Sequence, residues 1–277
     1  MPVRVISGAV LLAGVLAAIW FLPPIYLLGI TVVVALLACR EYADIAARAG
    51  ATVSKPAAGM ATALSCAAAG VPGLPVEVAL IGATLGLSAV VLASAMAGSQ
   101  SGETAPSAAA AHGTQALHDV AASAFAPLYL GLPLGLLAAT RWTLGKEATL
   151  LLILSVAASD TTQYYTGRLF GRHLLAPVVS PKKTVEGAIG GFVGGGLALG
   201  VIGHWWLPYV TLPWRVGLGL AIVAVGIVGD LFESLLKRSV GVKDASAVIP
   251  GHGGVLDRID ALLFAAPVFY VFVRYRL

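Results

Sequence analysis

The residues best suited to chemistry lie in the second half of the chain, in three polar clusters separated by apolar sequence. The clusters occupy residues 160–187, 229–238 and 243–260. Each mixes carboxylates with Lys or Arg. Such groups are rare beside long apolar runs, because a charge is costly to place inside a membrane. The clusters therefore predict one polar site, assembled at the ends of apolar helices from parts that are distant along the chain.

Helical spacing in the second and third clusters places acidic side chains on common faces. One face carries residues at positions i, i+3, i+4 and i+7, which are Asp230, Glu233, Ser234 and Lys237. Asp257 and Asp260 are three residues apart and share a second face. Two acidic faces at the same membrane depth can hold a hard cation. Mg²⁺ fits best, since it commonly binds one or two carboxylates together with substrate phosphates.

Basic residues and glycines around these acids suit a polyphosphate ligand. Lys and Arg bind phosphate as a point charge or a bidentate fork. Gly251, Gly253 and Gly254 would let backbone N–H groups approach a phosphate just before the last predicted helix begins.

Every member of these clusters also has a simpler structural interpretation. Lys182 and Lys183 could set topology or touch lipid headgroups, Asp160 could cap a span, and His252 could be an ordinary loop histidine. The acids of the second and third clusters could form structural ion pairs with neighbouring Lys and Arg. The occurrence of all of them together favours a functional site.

The elements that must position these residues are membrane-spanning helices. Of the 277 residues, 58% are hydrophobic and 11% are charged, against about 25% charged in typical soluble domains. At about 20 apolar residues per span, we expect an all-α, polytopic transmembrane protein with about nine spans. Their approximate bounds are 5–22, 25–39, 57–71, 76–97, 120–140, 148–167, 185–207, 214–236 and 259–273.

The chain divides into two regions by the distribution of polar residues. We expect residues 1–150 to form a transmembrane helical scaffold and residues 151–277 to form the catalytic region. The first apolar run resembles a signal peptide, but a second run follows Pro23-Pro24, which favours a span. Residues 98–116, rich in Ser, Gly and Ala, predict a flexible loop.

The acids of the N-terminal half predict little chemistry. Glu41 and Asp44 lie beside Arg40 and Arg48 near a predicted helix end. Side chains three or four residues apart on a helix can pair, so we expect these four residues to pair locally.

The distribution of Lys and Arg predicts the orientation in the membrane. With the N-terminus inside, 12 of the 17 Lys and Arg residues fall on the inner side, as the positive-inside rule requires. We therefore expect the N-terminus inside, the C-terminus outside and all three polar clusters on the cytoplasmic face. The net charge of +4 follows from this topology, and no nucleic-acid partner is expected.

The seventh predicted span is rich in glycine, with pairs four residues apart such as Gly187 and Gly191. This spacing lets helices approach closely. It fits either a homodimer face or packing against another helix of the same chain, and packing within the chain is the favoured interpretation.

At this point the sequence resembles a known family, the phosphatidate cytidylyltransferases. The run from Ser234 to Asp260 is similar to the family pattern S-x-x-K-R, four residues, K-D, a variable stretch and P-G-H-G-G-x-x-D-R-x-D, and meets every fixed position. Residues 180–187, SPKKTVEG, resemble the weaker motif S-P-x-K-T-x-x-G. Residues 160–171 resemble a third motif, with Gln163 where the family commonly has Ala.

The resemblance implies conversion of CTP and phosphatidate to CDP-diacylglycerol and pyrophosphate with Mg²⁺, and it leaves room for a second cation. It implies Asp230 and Asp257 as metal ligands, with Asp260 as a further carboxylate. The implied catalytic residues are Asp230, Lys237, Arg238, Lys243, Asp244, His252, Asp257, Arg258 and Asp260. The implied substrate-binding residues are Asp160, Tyr164, Ser180, Lys182, Lys183, Thr184, Glu186, Ser234, Gly253 and Gly254. The implied setting is the lipid bilayer of a bacterial inner (plasma) membrane.

Other classes of protein fit the sequence less well. It contains no G-x-x-x-x-G-K-[ST] phosphate loop, no H-E-x-x-H zinc motif and no G-x-S-x-G nucleophile elbow. A secondary transporter of an anion would place its site near the midplane, between repeated halves, whereas here the charges lie at span ends and no repeat is visible. The D-G-x-x-A-R type motif of the CDP-alcohol phosphotransferases is absent.

Overall fold

The structure, a computed structural model, describes residues 13–98, 106–246, 248 and 253–275. Residues 13–21 are helical and precede the numbered elements. In chain order these are α1 (Pro24–Arg48), α2 (Lys55–Gly70), α3 (Val76–Gly98), α4 (Pro106–Ala126), a π-helical turn (Pro127–Gly131), α5 (Leu132–Thr143), α6 (Gly145–Phe170), β1 (Leu174–Ala176), β2 (Ser180–Thr184), α7 (Val185–Trp206), α8 (Leu212–Ser239) and α9 (Leu256–Tyr275).

Proline and glycine mark several of the helix boundaries. α1, α2 and α8 each carry Pro in the first turn, where the missing N–H is not needed and the fixed φ suits a helix. Gly50 follows the end of α1 with φ 89°, a conformation that glycine adopts at helix ends without steric cost.

The structure is almost wholly helical and membrane-like. Within the described residues, five helical segments are long and apolar enough to cross a membrane: Pro24–Arg48, Val76–Met96, Gly113–Thr143, Val185–Trp206 and Leu212–Ser239. On α7 a stripe at four-residue spacing is exposed, comprising Val185, Ile189, Val193, Leu197, Val201 and Trp205. Such a stripe suits contact with lipid. The count of nine spans and the orientation stay predictions.

Local structure differs from the sequence predictions in two places, while the expected all-α class holds. β1 and β2 form a short antiparallel hairpin, which the sequence did not predict, and it pairs Leu174 with Thr184 and Ala176 with Ser180. The loop expected over residues 98–116 was wrong from Pro106 onward, where the chain is helical. The Ala-rich sequence there has high helix propensity, which the prediction underweighted. Residues 99–105 lie outside the described part.

The glycines of α7 pack against neighbouring helices of the same chain. A Cβ added at Gly187 would lie 2.9 Å from the carbonyl oxygen of Gln163 on α6, and one at Gly219 on α8 would lie 3.0 Å from the Cα of Gly196. A real Cβ would be too close at Gly187 and very tight at Gly219, so the backbones meet there because no side chain intervenes. This confirms the favoured interpretation, whereas a homodimer face stays a prediction.

Aromatic side chains join the N-terminal helices to the C-terminal ones. Phe125 and Tyr129 stack with ring centroids 5.2 Å apart, and Phe232 on α8 meets both edge-on at 5.8 and 5.3 Å. Tyr42 on α1 joins the same cluster. The two predicted regions therefore share one core, and α1 is held close to the start of α9.

Candidate active site

Three carboxylates from three helices lie within electrostatic range of one lysine. Asp160 lies on α6, Asp230 on α8 and Asp260 in the second turn of α9; we call them the carboxylate cluster. Lys183, on β2, places Nζ 2.5 Å from Asp230 Oδ2. Asp160 and Asp260 each interact electrostatically with Asp230 and with Lys183. The structure thus brings together residues from all three polar clusters of the sequence.

Gly229 allows two of these helices to cross closely. A Cβ at this position would lie 2.6 Å from the carbonyl oxygen of Asp260 and 2.8 Å from the Phe264 ring. Only glycine fits such an approach without a shift of the backbone. The close approach at Gly229 therefore keeps the neighbouring Asp230 near the first turns of α9. A larger residue at position 229 would move the two helices apart.

The charge of the carboxylate cluster suits a divalent cation. The three carboxylates are accompanied by two cations, the Lys183 ammonium and the Arg258 guanidinium, which interacts with Asp160. Hard cations such as Mg²⁺ prefer oxygen ligands of this kind. Within the part of the chain that the structure describes, no three His, Cys, Asp or Glu side chains are arranged as a ready coordination group. The donor chemistry fits Mg²⁺, and the ligand set stays a prediction.

A second group of charges, the Lys237 network, comprises Glu233, Lys237 and Asp257. Lys237 Nζ lies 2.6 Å from Glu233 Oε2 and 2.5 Å from Asp257 Oδ1, and its side chain is only 11% exposed. The simpler structural interpretation, an ion pair between an acid and a lysine of the same helix, is observed for Glu233 and Lys237. A catalytic role of Lys237 stays a prediction.

Asp257 also holds the backbone that precedes α9. Its Oδ2 accepts hydrogen bonds from the N–H groups of Ala245 at 3.0 Å and Gly254 at 2.7 Å. Burial alone would raise the pKa of Asp257, but the hydrogen bonds from Lys237, Gly254 and Ala245 outweigh it and hold the pKa below its usual range. Asp257 therefore has an observed structural role, the binding of two backbone N–H groups, and its metal role stays a prediction.

The two glycines before α9 are explained by neighbouring carboxylates. Gly253 has φ 79°, and a Cβ there would lie 2.8 Å from Asp257 Oδ2. At Gly254 a Cβ would lie 2.6 Å from Oε2 of Glu41. The Gly254 N–H, predicted to face a phosphate, donates to Asp257 instead.

Glu41 on α1 is the residue that sequence reasoning missed. Its carboxylate accepts hydrogen bonds from Ser246 Oγ at 2.6 Å and from the N–H groups of Val255 and Leu256 at 2.9 and 2.8 Å. The expected local pairing with arginine is therefore wrong for Glu41. It is also wrong for Asp44, which pairs with Lys55 at 2.5 Å. The available signal was an acid close to the apolar part of a predicted span, where a charge is costly unless it has a partner.

The motif at residues 180–187 builds the turn into α7. Thr184 is the N-cap of α7, and its Oγ1 accepts from the Gly187 N–H at 3.1 Å, as N-cap threonines do. Glu186 accepts hydrogen bonds from the N–H groups of Arg172 and His173 at 3.0 and 3.2 Å. These two predicted substrate contacts therefore have structural roles, while Lys183 reaches the carboxylate cluster.

The remaining predicted residues are mostly at the surface. Lys182, Arg238, Lys243, Asp244 and Arg258 are exposed, and Ser180 and Ser234 are half-buried. Tyr164 is exposed and accepts from Arg168 Nη1 at 3.3 Å. Gly251 and His252 lie outside the described residues. Among the exposed cations, Arg258 interacts electrostatically with Asp160 of the carboxylate cluster, and exposed Lys and Arg side chains can bind phosphate oxygens.

Comparison with known proteins relates this chain to one family and to several named relatives. The model of the Cytidylyltransferase family matches residues 2–276. A protein named phosphatidate cytidylyltransferase from Synechocystis sp. is 47% identical over 131 residues, which are 47% of this chain and 44% of that protein. One of the same name from Aquifex aeolicus is 46% identical over 122 residues, covering 44% and 45%.

A third relative of that name, from Thermotoga maritima, is 38% identical over 169 residues, covering 57% of this chain and 60% of the relative. The matched part of the chain thus spans about half the length of these curated relatives.

Proposed function

We infer that this chain, which belongs to the Cytidylyltransferase family, transfers the cytidylyl group of CTP to phosphatidate and so makes CDP-diacylglycerol and pyrophosphate. The observation that carries the proposal is the electrostatic contact of Asp160, Asp230 and Asp260 with Lys183, together with the exposed Arg258, which interacts with Asp160. The three named relatives, all phosphatidate cytidylyltransferases, support it.

The proposed reaction is a direct displacement at the α-phosphorus of CTP. A phosphate oxygen of phosphatidate attacks this atom, a new P–O bond forms, and the bond from the α-phosphorus to the bridging oxygen breaks. Pyrophosphate leaves with the electron pair of that bond. No covalent enzyme intermediate is required, so the protein contributes positioning and neutralisation of charge.

Two kinds of side chain would share this work. Lys182, Arg238, Lys243 and Arg258 are exposed cations that can bind phosphate oxygens. Lys183 holds Asp230 in place and brings positive charge to the centre. Asp230 and Asp257, the predicted metal ligands, with Asp260 as the further carboxylate, would hold Mg²⁺, which neutralises phosphate charge when bound.

We also propose that the site faces the cytoplasm of a bacterial plasma membrane. The sequence distribution of Lys and Arg supports this orientation, and the five apolar helical segments support a membrane location. CTP would then reach the site from the aqueous side, while phosphatidate would enter from the inner leaflet.

A direct assay tests the proposal. Purified protein in detergent micelles with phosphatidate, CTP and Mg²⁺ should release pyrophosphate and form CDP-diacylglycerol in equal amounts. A sample without phosphatidate controls for simple hydrolysis of CTP. Failure to form the liponucleotide by a protein shown to be folded would refute the assignment.

A further inference from the structure

We propose that Glu41, from the N-terminal half of the chain, is a positioning residue for the catalytic segment that enters α9. The proposal rests on the function proposed above. It gives the N-terminal helices a role in the reaction that the sequence interpretation, as a membrane scaffold, did not include. Glu41 touches no predicted substrate atom and acts through Asp257.

The carboxylate of Glu41 is buried, and both of its oxygens accept hydrogen bonds from residues at or shortly before the start of α9. Glu41 is 4% exposed. Oε1 accepts from Ser246 Oγ and from the Val255 N–H, and Oε2 accepts from the Leu256 N–H. The contacts cross 205 to 215 residues of sequence. A carboxylate at the start of a helix is favoured, because the first N–H groups of the helix have no partner within it.

Glu41 and Asp257 bind the same two segments of the chain. Glu41 accepts from the Ser246 hydroxyl in one segment and from the N–H groups of Val255 and Leu256 in the other. Asp257 accepts from the N–H groups of the adjacent residues, Ala245 and Gly254. If Glu41 is lost, two of the four backbone N–H groups that these carboxylates bind lose their acceptor.

Glu41 does more than cap α9, because it also affects the position of Asp257. Asp257 binds two backbone N–H groups, pairs with Lys237 and is a predicted metal ligand. A shift of the backbone at residues 254–257 therefore moves a carboxylate that is predicted to act in the site. Removing a group that orients a metal or phosphate ligand typically lowers activity by about 10- to 100-fold. We expect E41A to fall in this range.

The loss should appear in kcat more than in KM. Glu41 holds Asp257 and does not contact the exposed cations that are proposed to bind the phosphates. KM for CTP should therefore change by less than about threefold, while kcat falls by about 10-fold or more. E41D keeps the charge with a shorter side chain and should recover part of kcat. D44N, one turn along α1 and on the exposed Lys55 pair, is the matched control and should retain wild-type kcat.

Gly254 supplies a second, independent test. A Cβ at Gly254 would lie 2.6 to 2.8 Å from the Glu41 carboxylate, so G254A should clash with Glu41. Shortening Glu41 removes the clash. In an E41A background, G254A should therefore cost less than about threefold in kcat, although alone it costs about 10-fold or more. If Gly254 is required only for close approach of a phosphate, the cost of G254A is the same in both backgrounds.

The experiment combines kinetics with amide hydrogen exchange on the full-length protein in detergent. Exchange at Val255 and Leu256 should speed up in E41A and E41Q and stay unchanged in D44N, because only the first two variants disturb the carboxylate that accepts these N–H groups. E41Q keeps the shape of the side chain, so it serves as the second variant where E41A is poorly folded.

Each outcome bears on the proposal. Faster exchange, a kcat-selective loss and a smaller effect of G254A in the E41A background would support it. Unchanged kcat in folded E41A and E41Q, or equal effects of G254A in both backgrounds, would overturn it. An inactive wild-type protein would instead refute the proposed function, and the exchange measurements would still decide whether Glu41 holds the segment.

Discussion

The close crossing of α8 and α9 at Gly229 gives the sharpest prediction for the site. In G229A the new Cβ would lie 2.6 Å from the carbonyl oxygen of Asp260 and 2.8 Å from Phe264. Ordinary van der Waals contact begins at about 3.4 Å, so the Asp260 carbonyl oxygen must lie about 0.8 Å farther from the Cβ. The two helices must therefore separate locally by about 0.8 Å, close to the misplacement of about 1 Å that is large enough to affect catalysis. Asp230 follows Gly229 directly, so this separation moves it away from Asp260.

The expected consequence is a large loss of activity with a moderate loss of stability. A misplacement of about 1 Å can cost about 10²-fold in rate, so we expect kcat/KM of G229A to fall by this order. Overpacking costs about 1–3 kcal/mol, offset by the roughly 1 kcal/mol that Ala gains over Gly in a helix. Thermal unfolding should therefore show a folded, moderately destabilised protein.

Gly226 provides a matched control on the same helix. It lies one turn earlier and faces the same partner, but a Cβ there would lie 3.6 Å from Ala261 Cβ, which is ordinary contact. G226A should therefore keep wild-type activity within about twofold and be as stable or slightly more stable. Both variants are measured by pyrophosphate release and by thermal unfolding. Equal activity of G229A and G226A would refute the claim that this crossing sets the geometry of the site.

Four further predictions concern the charged groups and the proposed cation. K183M should lower kcat/KM by about 10²-fold, as loss of one group that stabilises transition-state charge typically does, and K183R should recover part of it; pyrophosphate release measures both. D257N should abolish turnover while the protein stays folded, measured by activity and circular dichroism; surviving turnover would exclude a metal role. Because the pKa of Asp257 is held low, its ion pair stabilises the fold at neutral pH and is lost as pH falls through that lowered value. D257N should therefore show a weaker loss of unfolding temperature on acidification than wild type. Chelation of divalent cations should stop pyrophosphate release and added Mg²⁺ should restore it; activity that persists in excess chelator would contradict the proposed Mg²⁺ dependence.

The amino-acid sequence was sufficient to predict the family and much of the local structure. Apolar runs and sparse charge predicted a helical membrane protein, since burial of backbone polar groups in lipid leaves few alternatives to helices. The spacing of Asp230, Lys237, Asp257 and Asp260 placed the acids on helix faces, because this depends only on the helical repeat. The signature near the C-terminus predicted the family, which the comparison confirmed.

The partners of the charged side chains could be read only from the folded chain. The resemblance implied Asp230 and Asp257 as metal ligands, which stays a prediction, and sequence spacing paired Glu41 with nearby arginines. In the structure Asp230 binds Lys183, Asp257 binds Lys237, and Glu41 binds residues more than 200 positions away. Helical periodicity fixes the face on which a residue lies but not the helix that this face meets. That choice depends on close crossings such as Gly229 with α9 and Gly254 with Glu41, where the absence of a side chain lets two distant parts of the chain touch.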